Sequence, residues 1–145
     1  IGAIFSLSLS LILFRLITKS APILSILFAN IILADEFKKV CKDVILCTDD
    51  GSVGEKGIVT SPLKRELEKG DVAAVFSCGP TRMLNAVAGM AKEYGVFCEV
   101  SLEERMGCGV GACVGCVARI ERSGEEKLLR VCKDGPVFNG EEVLF

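Results

Sequence analysis

The chain has no histidine, no tryptophan and a single tyrosine, Tyr94, in 145 residues. Without histidine it can build no Rieske-type cluster, no Cys/His zinc finger, no Ser-His-Asp triad and no histidine general base. So few aromatic side chains leave no stacking platform for single-stranded nucleic acid. The net charge of −2, with no basic stripe, gives no nucleic-acid surface either. Charge is scarcest at the N-terminus, where Arg15 and Lys19 are the only charged side chains from Ile1 to Ala34. The uncharged runs, 1–14 and 20–34, fall short of the roughly 18 residues a spanning helix needs, and Pro22 interrupts the second. No basic stretch precedes them, as a signal peptide would require. They read as one buried half of an α/β domain, with no membrane role expected.

What the chain has in quantity is apolar surface and sulfur. Half of it is hydrophobic, enough for a core, and it carries eight cysteines: Cys41, Cys47, Cys78, Cys98, Cys108, Cys113, Cys116 and Cys132. An even count invites a disulfide framework. Against that, four lie in or beside helical and apolar runs such as "VILCT" and "VFCEV", where free cysteine packs as a small hydrophobe. Disulfide scaffolds are mostly short and secreted, so a reducing, cytoplasmic setting is expected.

From residue 23 onward short apolar runs alternate with longer amphipathic ones. Residues 23–28, 43–48, 73–78 and 96–101 read as strands, being short, apolar on both faces and bounded by turn residues. Residues 33–41, 60–70 and 81–95 read as helices. The second has Thr60 or Ser61 as a candidate N-cap, Pro62 in the first turn and Gly70 at the end. In the third, Met83, Leu84, Val87, Met90 and Ala91 share a face, and Gly95 closes it. Such alternation predicts a parallel sheet covered by helices. Residues 6–11, "SLSLSL", fit a strand by alternation and a helix by the spacing of Ile4, Leu7, Leu11 and Phe14, and periodicity alone does not decide. After Val100 the character changes. A strand "VARI", a Ser123-Gly124 turn and a strand "KLLRVC" read as a hairpin that carries Cys132 back toward the earlier cysteines. The expected division is 1–99, an α/β domain, and 100–145, a small domain too poor in core to fold without a staple.

The segment "GCGVGACVGC", residues 107–116, supplies that staple. With Cys132 it gives C-x4-C-x2-C-x15-C from Cys108, Cys113, Cys116 and Cys132. The first two gaps match the plant-type ferredoxin spacing for a 2Fe–2S cluster. Gly109, Gly111 and Gly115 leave room for an inorganic core and let backbone N–H groups point at sulfur. A four-thiolate zinc site is the alternative, but structural zinc usually uses two short knuckles, and here Cys132 stands alone. Three clustered thiols and one return are poorly placed to pair as disulfides.

"SLEERMGCGVGACVGC", followed by "RVCKDGPVF", resembles the electron-transfer subunit of the two-subunit, NAD-dependent dihydroorotate dehydrogenases of bacteria and archaea. Those subunits are similar to ferredoxin–NADP reductases with a 2Fe–2S domain added. The likeness runs from about Asp35 to Phe145 and includes "TDDGSVGEKG" and "CGPTRML". It implies a ferredoxin reductase-like NAD-binding domain followed by a cluster domain, with 2Fe–2S, FAD and NAD as cofactors. It also implies an FMN-containing dehydrogenase subunit as partner, in a heterotetramer of two each, acting in pyrimidine biosynthesis. The family's FAD-binding β-barrel comes earlier in the chain and is absent from these residues. "IG" at the start resembles the tail of the family's glycine-rich phosphate turn, of which Gly2 is present. Residues 3–34 depart from the family pattern: "LFAN" stands where a Gly-x-Arg-like turn is usual.

On this resemblance Cys78, Gly79 and Pro80 approach the nicotinamide; otherwise they are a buried thiol before a helix-capping turn. Asp49 and Asp50 follow a strand end, where a carboxylate can hold a ribose hydroxyl, or they form a plain Asp-Gly turn. Cys41, Cys47 and Cys98 read as core. No residue reads as a general base for dihydroorotate, so no catalytic residue is assigned, and the cofactors carry the chemistry. Two other identities fit the residues. One is a diaphorase-type subunit of a sulfide dehydrogenase or an NADH/NADP–ferredoxin oxidoreductase. The other is a zinc-stapled interaction module.

Overall fold

A computed structural model describes the backbone of residues 12–18, 22–27 and 34–145, and the side chains of residues 35, 37–39 and 41–145. Gly2, and the stretch 6–11 that fits both strand and helix, lie outside the described residues. The elements run β1 (Ile12–Thr18), β2 (Pro22–Leu27), α1 (Ala34–Val40), β3 (Asp43–Thr48), β4 (Glu55–Lys56), α2 (Thr60–Glu68), β5 (Val72–Cys78), α3 (Thr81–Glu93), β6 (Phe97–Ser101), β7 (Val117–Arg122), β8 (Glu125–Arg130), α4 (Val131–Asp134) and β9 (Val137–Asn139).

Seven strands form one sheet in the order β4-β3-β2-β1-β5-β6-β9. β2 with β3, β3 with β4 and β5 with β6 pair in parallel, as the α/β alternation predicts. β1 does not follow: it lies antiparallel to both β2 and β5. The fully parallel expectation is therefore corrected to a mixed sheet. The reason lies in the connection. Three residues separate Thr18 from Pro22, enough for a hairpin but far short of the dozen or so a parallel crossover needs. Because β1 opposes both neighbours, β2 to β6 still share one direction. The C-terminal ends of β3 and β5 thus lie at the same end of the sheet.

The helices follow their residue patterns. In α2 the buried side chains are Pro62, Leu63, Glu66 and Leu67, an i, i+3, i+4 stripe. Lys69 Nζ pairs with the buried Glu66 carboxylate at 2.7 Å. The expected cap at Thr60 or Ser61 is not formed: Val59 precedes the helix in helical geometry with no side-chain cap, and Thr60 lies inside it. Val59 is wholly buried, so apolar packing fixes the entry instead. Gly70 ends α2 at φ +72°, a left-handed position that glycine reaches without a Cβ clash. α3 buries Leu84, Val87, Ala88 and Ala91. It ends in a Schellman arrangement, with Val96 N–H donating to Ala91 O at 2.9 Å and Gly95 N–H to Lys92 O at 3.1 Å.

The C-terminal segment is bound into the same body. β7 and β8 pair from Val117↔Arg130 to Arg122↔Glu125. Ser123 at φ +56° and Gly124 at φ +78° make the tight turn between them. The second strand stops at Arg130 and Cys132 lies in the helical turn α4, a correction to the strand expected through Cys132. β9 adds an antiparallel edge to β6, with Phe138 opposite Val100. Leu144 N–H donates to Arg119 O at 2.9 Å, and Glu121 N–H to Glu142 O at 2.7 Å, so the chain end fastens the hairpin. Cys116, Ile120, Val131 and Phe138 join the core begun by Leu63, Val75 and Leu84. Among the described residues, no helix is long and apolar enough to cross a membrane.

Candidate metal centre

Residues 102–116 contain no helix or strand. Their path is set by glycine and by sulfur. Gly109 at φ +70° and Gly111 at φ +80° turn the backbone so that successive N–H groups face inward. Three of them donate to Cys108 Sγ: Ala112 at 3.2 Å, and Val110 and Cys113 at 3.4 Å. The Cys113 and Val110 amides, helped by the Cys113 thiol, push the Cys108 thiol down to about 6. The thiolate is the form that binds metal.

Two of the other three thiols lie on the same loop, and the fourth lies on the turn that follows the hairpin. Cys113 is exposed, and its sulfur faces two glycines: a Cβ would lie 3.2 Å away at Gly107 and 3.4 Å away at Gly115. The residues flanking this thiol are bare where a side chain would crowd it. Cys116 is buried, and its sulfur accepts the Cys132 N–H at 3.4 Å. Hydrogen bonding to Cys116, and then burial, push the Cys132 thiol up. The four cysteines are thus linked two by two through the main chain, Cys113 N–H donating to Cys108 Sγ and Cys132 N–H to Cys116 Sγ, each at 3.4 Å.

Among the described residues, no three His, Cys, Asp or Glu side chains are already gathered about one point as a single-ion cage. A two-iron cluster does not require one. Two thiolates would hold each iron, and the main-chain links join Cys108 with Cys113 and Cys116 with Cys132. Thiol donors, inward amides and bare space beside Cys113 together fit such a group.

Fixed groups join the loop to the turn that carries the fourth thiol. Val131 N–H donates to Cys116 O at 2.8 Å. Arg130 Nη1 donates to Gly111 O at 3.2 Å, and Asp134 Oδ2 accepts the Arg130 backbone N–H at 2.8 Å and its Nε at 3.2 Å. Those contacts hold the Asp134 carboxyl below its usual range. Sequence reading missed this link. Its visible trace is the i, i+4 spacing of Arg130 and Asp134 on either side of Cys132.

The other candidate residues lie at the C-terminal end of the sheet. Cys78 ends β5, half-buried, and burial pushes its thiol up against a smaller opposing pull from the Ser101 hydroxyl. Gly79 is buried at φ +151°. Pro80 O accepts the N–H groups of Met83 at 2.9 Å and Leu84 at 3.0 Å, which starts α3. An apolar cavity of about 300 Å³ adjoins, lined by Ile58, Val59, Thr60, Pro80, Arg82, Met83 and Ala86. Asp49 and Asp50 are exposed beyond β3. The Asp50 carboxylate accepts the Ser52 N–H at 2.9 Å, which holds its pKa down and closes the turn at Gly51. Cys47 and Cys98 are buried, and burial pushes the Cys98 thiol up to about 11. The candidate residues thus fall in two groups, the cysteine loop and the sheet end.

Residues 103–144 match the family described as the iron–sulfur cluster binding domain of dihydroorotate dehydrogenase B. Relatives extend the likeness into the α/β part. The chain is 45% identical over 103 residues to the dihydroorotate dehydrogenase B (NAD(+)) electron transfer subunit of Caldanaerobacter subterraneus, covering 71% of this chain and 41% of that protein. To the subunit of the same name from Shouchella clausii it is 40% identical over 134 residues, covering 90% of this chain and 50% of that protein. A solved NADH-dependent reduced ferredoxin-NADP oxidoreductase, described for flavin-based electron bifurcation, matches with a TM-score of 0.59 and 37% identity. That match covers 77% of this chain and 39% of the other. This chain is similar to these oxidoreductase subunits and spans at most half of their length.

Proposed function

We propose that this chain carries the NAD-binding and cluster-binding parts of an electron-transfer subunit. In this reading it links the FMN of a dihydroorotate dehydrogenase partner to NAD, in the cytoplasm, as a step of pyrimidine synthesis. The observation that carries it is the set of main-chain N–H groups donated to Cys108 Sγ and Cys116 Sγ inside the segment that matches the cluster-binding family. Cys108 and Cys113 would hold one iron, and Cys116 and Cys132 the other. When bound, a 2Fe–2S cluster supplies one-electron transfer at a potential the protein sets.

This chain's own residues position and tune. The amides of Val110, Ala112 and Cys113 stabilise negative charge on Cys108 Sγ. Val110, Val114 and Met106 are more than half exposed around the loop, an apolar rim suited to a protein partner. Cys78, Gly79 and Pro80, with the cavity beside Ile58 and Met83, would receive the nicotinamide end of NAD. Asp49 would face its ribose, while Asp50 is committed to its turn. FAD belongs to the barrel segment of the family, and the partner assembly would be a heterotetramer of two subunits each. The solved-structure likeness supports a second reading, a subunit of an NADH-dependent ferredoxin-NADP oxidoreductase.

Anaerobic purification from the native host tests both. The expected result is a red-brown protein with two irons and two labile sulfides per chain, co-purifying with an FMN-containing dehydrogenase. Stoichiometric zinc in a colourless protein would overturn the cluster. A bifurcating partner in place of the dihydroorotate enzyme would select the second reading.

A further inference from the structure

We infer that Arg130 and Asp134 form a positioning pair that sets the cysteine loop against the turn bearing Cys132 and adds fixed charge beside the cluster. The inference rests on the iron–sulfur reading above. Three ligands lie on a loop without regular structure, and the fourth lies on α4, at the end of a hairpin. Loop and turn are joined by the Val131 N–H bond to Cys116 O and by Arg130. Arg130 has the required shape. Its guanidinium is a rigid fork whose arms reach two acceptors at once, which a lysine ammonium does not reproduce. One arm takes Gly111 O and another the Asp134 carboxylate. Asp134 in turn fixes the Arg130 main chain, so the turn that presents Cys132 is capped by the group that orients the arginine. The pair lies at the surface, with side chains 32% and 26% exposed, so its hold comes from three converging hydrogen bonds rather than from burial.

Gly111 is the point of contact for a physical reason. At φ +80° it turns its carbonyl toward Arg130, while a Cβ there would meet the Lys133 side chain at 2.8–3.4 Å. Lys133 therefore also lies against the loop. Two cations and one carboxylate sit within two residues of Cys132. Cluster potential responds to nearby charge and to hydrogen bonds around the ligands. Added positive charge favours the reduced, more negative cluster, so Arg130 raises the potential and Asp134 lowers it.

The test uses the full chain, purified anaerobically, with Arg130→Gln, Arg130→Lys and Asp134→Asn. Arg119→Gln is the control: on the same hairpin it removes an ion pair with Glu126, a partner outside the loop. Two quantities are read, the rate at which EDTA bleaches the visible absorption and the midpoint potential from an EPR-monitored titration. Arg130→Gln should bleach about tenfold faster, the usual scale for groups that orient metal ligands, and its midpoint should fall. Arg130→Lys should recover the midpoint but not the retention. Asp134→Asn should also bleach faster, with its midpoint rising. A bleaching rate for Arg130→Gln equal to that of Arg119→Gln would overturn the positioning role. Midpoints that do not move in opposite directions would overturn the electrostatic one. If the parent chain holds no iron at all, the iron–sulfur reading itself fails, which separates the two failures.

Discussion

Residues 43–102 and residues 103–145 share one sheet but are held by different means. The first region buries Val59, Leu63, Val75, Leu84, Val87 and Val100 almost completely. Each such side chain contributes roughly 1.5–3 kcal/mol over exposure. In the second, the buried apolar side chains among the described residues are Cys116, Ile120, Val131 and Phe138. Its order comes from main-chain bonds and ion pairs: β9 on β6, the tail on the hairpin, and the Arg130–Asp134 link. Backbone strain divides the same way. In residues 43–102 every positive-φ position is a glycine, whereas Val114 and Ser123 take positive φ in the second region. A segment that must leave space around its thiols cannot fill that space with core, so its stability becomes tied to what it binds.

The largest break in this comparison is Cys116→Ser. The variant should lose the visible absorption, because Cys116 is a proposed ligand and also the acceptor for the Cys132 N–H. Limited proteolysis should then cut first within 103–116, while residues 43–102 keep the parent's protection. The strand β9 should outlast the loop, since Phe138 is buried in the shared core. Equal protection of the loop in variant and parent would mean that the second region holds without its metal.

The converse test is Leu84→Ala. Leu84 is 1% exposed on the inner face of α3, and truncating such a side chain costs about 2–5 kcal/mol through lost burial and a cavity. Denaturant unfolding should show that loss with and without bound iron, at unchanged iron content. A loss under about 1 kcal/mol, or a loss of iron equal to that in Cys116→Ser, would show that the two regions do not stand apart.

How much was legible follows from how local each signal is. The strand at 43–48 was readable because its apolar run is bounded by charge and by the Asp-Gly turn. Gly95 closing α3 and Ser123-Gly124 turning the hairpin were readable because αL positions have few tenants. The direction of β1 depends on which strands it pairs with, and its alternating neighbours gave no hint of that. β9 is three residues long, below the length at which alternation signals anything. Cys132 moved from strand to helical turn because Asp134 caps the Arg130 amide, a side-chain effect invisible to hydrophobic pattern. At the candidate site the ligand types were legible from spacing. The supporting Arg130–Gly111 contact was not, since it joins residues 19 apart in sequence through a main-chain carbonyl.

The smallest expected effect lies at Val114, which stands at φ +48° between Cys113 and Gly115. A β-branched residue there is an outlier and carries about 1–3 kcal/mol of strain. Its side chain is 62% exposed, so little burial offsets that cost. Val114→Gly relieves the strain, and it also frees the unfolded chain by about 0.5–1 kcal/mol. The two terms oppose, and the first is larger. The iron-loaded variant should therefore gain about 1 kcal/mol in denaturant unfolding, with the EDTA bleaching rate near the parent's. The opposite sign, a less stable variant, would show that the Val114 side chain contributes packing to the loop and that the strain is balanced locally. In the first region the matched change runs the other way. Gly54 sits at φ +72° with its missing Cβ directed into the Leu46 carbonyl, so there the glycine is required and the backbone holds no strain to release.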